Sequence, residues 1–122
     1  MASIVSTFLG VQSQFKVLHW QTQSYSKHNA YGGIYDSFSD LSDKFMEVYM
    51  GKYGRVALDG ENDAIQLSNI GEMNVDEFID TVVEFLCSLS NQLNDNRDSD
   101  LLNIRDEMLA EVNKLKYLLT LK

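Results

Sequence analysis

The stretch from His19 to Glu47, HWQTQSYSKHNAYGGIYDSFSDLSDKFME, decides how this chain is read. It contains both histidines of the protein and its only tryptophan. Tyr31, Tyr35, Phe38, Leu41 and Phe45, continued by Val48 and Tyr49, recur at helical steps and form one apolar and aromatic side. Asp36, Asp40, Asp43 and Glu47 recur at steps of four, three and four, so these acids share a second face. The spacing predicts a helix from about Asn29 to Tyr53, after a short connection over residues 25–29. Gly32 and Gly33 fall in its first turns. Glycine weakens a helix there, which points to an irregular start or to the close approach of another backbone.

Working outward, Ile4, Phe8, Val11, Phe15, Leu18 and Thr22 make one helical stripe over residues 3–24. Gly10 interrupts it and allows a close approach. His19 lies one turn beyond Phe15, at the edge of the stripe. After the second helix, Gly51, Gly54, Gly60 and Gly71 break the pattern up to Asn74. That segment is too long for a tight turn between helices. Its middle, Asn62 to Asn69, is expected to form a short helix through Ala64, Ile65 and Leu67. Asn74, with Glu77 at the third position, reads as the capped start of a third helix through Phe78, Val82, Phe85, Leu86, Leu89 and Leu93. The polar run from Asn94 to Asp100 is a turn. A fourth helix then carries Leu101, Leu102, Ile104, Met108, Val112, Leu115 and Leu119. The lysines near its end suit the helix dipole. The expected fold is all-α: one four-helix-bundle domain over residues 1–122, with a long crossover between helices 2 and 3.

The length of 122 residues suits one domain. Proline is absent, as a long-helix protein allows. A net charge of -8 argues against DNA binding, which needs a basic surface. Cys87 is the only cysteine, so no intramolecular disulfide can form. Its neighbours Phe85, Leu86 and Leu89 suggest a packed core thiol. Neither a basic, apolar leader nor an apolar run of membrane-spanning length is seen, so a cytoplasmic protein with no membrane partner is expected.

Asp43 and Glu47 stand one helical turn apart and can hold a metal between them. Carboxylate oxygen with imidazole nitrogen suits iron, manganese or zinc. The same four acids equally describe an ordinary solvated helix face. A di-iron centre inside one bundle uses a Glu-x-x-His pair on each of two helices, and no Glu-x-x-His occurs in this chain. Nucleophile-elbow and phosphate-loop motifs are also missing.

His19-Trp20, His28 fewer than ten residues later, Asp43 fifteen residues after His28, and Glu47 four beyond that resemble the Dps family of ferritin-like mini-ferritins. YGRVALDGENDAIQLSNIGE occupies the place of that family's crossover, and SDLLNIRDEMLAEVNKLKYLL resembles its last helix. The resemblance implies a ferritin-like bundle that assembles through twofold interfaces, up to a dodecamer. It implies iron(II) oxidation by peroxide or dioxygen, with storage of ferric mineral. In that family the site lies between subunits. His19 and His28 would bind metal from one chain, and Asp43 and Glu47 from its mate, with Trp20 packed beside them. The chain departs from the family in its shorter third and fourth helices and its shorter first connection. It also lacks the basic tail through which some members bind DNA. The competing expectation is a non-enzymatic helical scaffold that keeps the fold without the metal chemistry.

Overall fold

A computed structural model describes residues 2–60 and 63–122. Helix α1 spans Ala2–Gln21, α2 Tyr25–Tyr53, α3 Val75–Ser88 and α4 Ser99–Leu118. Single 3-10 turns at Ile70–Glu72 and Leu89–Asn91 precede and follow α3. The described residues contain no strand, so the protein is all-α.

The stripes read from the sequence are the ones that bury. Ile4, Phe8, Val11, Phe15 and Leu18 of α1 meet Tyr31, Ile34, Phe38 and Phe45 of α2. Ile79, Val82 and Leu86 of α3 and Leu101, Ile104, Met108, Val112 and Leu115 of α4 complete one core. Phe8 is its hub, edge-on to Phe38, Phe45 and Phe85 at 6.1, 5.3 and 5.7 Å between ring centroids. Phe15 repeats the arrangement with Phe38 and Phe78. Edge-to-face pairs add about 0.5–1.5 kcal/mol each to the burial of the rings.

Contacts between the helices give their directions. Phe8 meets Phe85 and Phe15 meets Phe78, so α1 and α3 run in opposite senses. Lys52 near the end of α2 reaches Asp100 at the start of α4, and Ser26 reaches the carbonyl of Leu121. Therefore α2 and α4 are antiparallel, while α2 and α3 run parallel. Residues 54–74 return the chain along the length of the bundle to make that order possible.

Caps fix both ends of α2. The second helix starts at Tyr25 rather than Asn29, because the Ser24 hydroxyl accepts from the Lys27 N–H at 3.3 Å and caps it early. The connection after α1 is then three residues, and His28 lies inside the first turn of α2. Gly54, at φ 93°, ends α2 with its N–H on the Met50 carbonyl.

The short helix expected over residues 62–69 is not formed. Asn62 lies outside the described residues, and residues 63–69 have no regular structure. The buried Gln14 side chain accepts from Ser68 N and donates to Ser68 O, both at 2.9 Å. Gln21 likewise accepts from Ile70 N and donates to Asn69 Oδ1. Gly10 leaves room for Ile65, 3.5 Å from where its Cβ would stand. The crossover over residues 65–70 is thus a strap laid along α1, with the backbone of Ser68 and Ile70 bonded to α1 side chains. At the other end, Asp98 is almost fully buried and accepts from the Tyr53 hydroxyl, Asn94 N and the Lys52 ammonium.

Cys87 is exposed, which corrects the expectation of a core thiol. The buried stripe of α3 passes through Val82, Leu86 and Leu89, and Cys87 falls one residue off it. No described helix is long and apolar enough to cross a membrane.

Candidate functional site

His19 sits in the last turn of α1 and His28 in the first turn of α2, and the tight connection brings them face to face. Their rings stack at 3.8 Å between centroids, inclined by 19°. Each ring is tied to the other residue's backbone: His19 Nδ1 lies 2.7 Å from the His28 carbonyl, and His28 Nδ1 lies 2.8 Å from the His19 carbonyl. A carbonyl oxygen only accepts, so both Nδ1 atoms carry the proton and both Nε2 atoms keep a free lone pair in the neutral state.

The local sequence explains both acceptors. The last carbonyls of α1 lack partners within the helix, and His28 supplies one for His19. The His28 carbonyl belongs to the interior of α2, and its second lone pair remains for His19. Gly32 stands four residues after His28, on the same face of α2. A Cβ there would be 3.0 Å from both Nδ1 and Cε1 of His19. The close approach anticipated at the paired glycines is therefore made by a side chain, not by a backbone. Gly33 faces open space.

Around this pair the surface is aromatic. Tyr25, largely exposed, lies over His28 at 6.4 Å. Lys16 Nζ sits 4.5 Å from the Tyr35 ring centroid and 5.7 Å from that of Trp20, within cation–π reach of both. Trp20 itself is 69% exposed.

Asp43 and Glu47 are exposed on α2, as are Asp36 and Asp40. Fifteen residues of helix separate His28 from Asp43, about 22 Å along the axis. The structure thus joins the two histidines and keeps the two carboxylates apart from them. Among the described residues no group of three or more His, Cys, Asp or Glu side chains is placed to hold a metal ion. The four candidate residues thus fall into two groups, the histidines where α1 meets α2 and the carboxylates farther along α2. Sequence reasoning singles out those four residues and the glycine pair, but not the two carbonyls, nor that the His19 ring is what approaches Gly32. The four-residue step from His28 to Gly32 was the available signal.

These features define a four-helix protein with a histidine pair locked across the α1–α2 hairpin. The chain belongs to the family described as "Family of unknown function (DUF5856)", whose profile matches residues 19–119 and takes in all four candidate ligands. It is similar to a protein of Enterobacteria phage T4 described as an uncharacterized 14.6 kDa protein in the mobD-ri intergenic region. The identity is 29% over 114 residues, covering 93% of this chain and 83% of the phage protein. No solved structure matches.

Proposed function

We propose that this protein is a Dps-like mini-ferritin that binds iron(II) between two copies of the chain and oxidises it for storage as ferric mineral. The observation that carries the reading is the locked histidine pair. Metal-ligating histidines characteristically hold one ring nitrogen on a carbonyl or carboxylate and offer the other. Both rings here are held that way. Two neutral imidazoles with two carboxylates form a donor set suited to iron(II). The order of the helices, with one long crossover joining two parallel neighbours, is the order of ferritin-like bundles and supports the same reading.

His19 and His28 of one copy would meet Asp43 and Glu47 of a twofold mate. Imidazole donors and anionic oxygens together stabilise the higher charge of iron(III), and dioxygen or peroxide takes up the electrons released. Twofold contacts would pair the chains, and further contacts between pairs would build a shell, up to the dodecamer of the Dps family, working in the cytoplasm. The excess of acids over bases favours cation entry.

Anaerobic titration of the purified protein with iron(II), followed by exposure to air, tests the proposal. Saturable binding and oxidation faster than in buffer are expected, with a mass near twelve chains in light scattering. Absence of saturable binding would sink it. The second reading, a helical scaffold without metal chemistry, is favoured by the short α3 of 14 residues and by the separation of the two groups within one chain. It predicts a monomer or simple dimer that purifies free of metal.

A further inference from the structure

We infer that Gly32 is a positioning residue for the histidine pair: its missing side chain is the space in which His19 lies flat against His28 with both rings held as Nδ1–H tautomers. Two adjacent glycines inside a long helix weaken it, and they call for separate explanations. Gly33 has open space where its side chain would be. At Gly32 the imagined Cβ meets two atoms of the His19 ring at 3.0 Å. That ring cannot yield freely. It is stacked at 3.8 Å on His28 and tied through Nδ1 to the His28 carbonyl at 2.7 Å.

A Cβ at position 32 requires the His19 ring to give by a few tenths of an ångström, against its stack on His28 and its bond to the His28 carbonyl, and that bond is what gives way. Without the bond the neutral imidazole redistributes between its two tautomers, and the Nε2 lone pair is no longer reserved. The His28 ring loses its stacking partner but keeps its own bond to the His19 carbonyl. The effect is therefore directed at His19. The consequence for iron rests on the function proposed above; the tautomer itself does not.

The test compares Gly32→Ala with Gly33→Ala in protein labelled with 15N at histidine. Long-range 1H–15N spectra of the neutral rings, recorded at alkaline pH, should show both wild-type rings as Nδ1–H. Gly33→Ala should leave that pattern intact. In Gly32→Ala the His19 signature should be lost and anaerobic iron(II) binding weakened at least tenfold, the usual scale for losing a hydrogen bond that orients a ligand. Retention of both Nδ1–H tautomers in Gly32→Ala overturns the inference.

Thermal melting gives a check that does not depend on the spectrum. In a His19→Ala background the ring is gone, so Gly32→Ala should raise Tm as Gly33→Ala does. If it lowers Tm there as much as in the wild type, the obstruction is not His19 and the inference fails. A wild type that binds no iron, with the tautomer still lost in Gly32→Ala, rejects the proposed function and leaves the positioning role standing. Iron binding with an unchanged tautomer in Gly32→Ala does the reverse.

Discussion

The side-chain amide of Gln14 faces the backbone of Ser68 and satisfies both of its polar groups, each at 2.9 Å. This two-point clamp is what a buried glutamine on the core side of α1 is for. It holds the exposed crossover against α1 at Ser68, with both polar groups of that residue's backbone bonded. A short helix would have satisfied those groups internally. The clamp makes the extended form the better solution here.

Gln14→Leu is expected to lower stability by about 1 kcal/mol, because the two partly buried hydrogen bonds to the Ser68 backbone are lost. Urea denaturation measures the loss. Amide exchange at Ser68 and Ile70 should accelerate while the core of α2 keeps its protection. Unchanged exchange at Ser68 would mean that the strap is held by other contacts.

Asp98 predicts an acid-sensitive joint between α2 and α4. The Tyr53 hydroxyl, then Asn94 N and Lys52, hold its carboxyl below the usual carboxylate range. The folded state therefore favours the ionised form. Its contribution is present above the unfolded pKa of about 3.9 and is lost as pH falls through the lower folded value. The urea midpoint should drop as pH is lowered through that window. Asp98→Asn should be less stable near neutrality and show a shallower drop on acidification. A parallel pH dependence in the two proteins would count against this role.

Asp43 and Glu47 are exposed and have no ion pair among the described residues. Replacing both with alanine should change folding stability by no more than about 0.5 kcal/mol. The same double variant should lose saturable iron(II) binding. Circular dichroism melting and anaerobic titration read the two effects separately, and a large loss of stability would assign the acids a structural role instead.

Gly33→Ala should stabilise the protein by about 1 kcal/mol, since an alanine fits open space and is the better helix former. Chemical denaturation gives the sign directly. A destabilised variant would reveal a neighbour at that face, such as a second copy of the chain in solution.

The single thiol offers a further check on the packing of α3. Cys87 is exposed, so a small thiol reagent should label it stoichiometrically in the folded protein without denaturant. Labelling that waits for unfolding would place Cys87 back in the core.

Much of the fold was legible before any coordinate. The apolar stripes of all four helices could be read because burial follows the helical period closely, and Asn74 announced its helix by its own capping chemistry. Asn74 does accept from the Glu77 N–H at 3.1 Å. The start of α2 was misplaced because Ser24 competes with a glycine pair that looks like a broken first turn. Cys87 was misread because three apolar neighbours suggest burial, whereas one residue of helix rotates a side chain by about 100 degrees.

The candidate site divides in the same manner. Residue identity and helical rise are local properties, so the chain's candidates for metal binding and their spacing along the helices are legible in one dimension. That His19 and His28 hold each other by reciprocal carbonyl bonds, that His19 lies against Gly32, and that Gln14 clamps the crossover emerges only from packing. Those outcomes depend on which atoms α1 meets across the three-residue connection and along the crossover. A one-dimensional pattern records the period of each helix but not the atom that it meets.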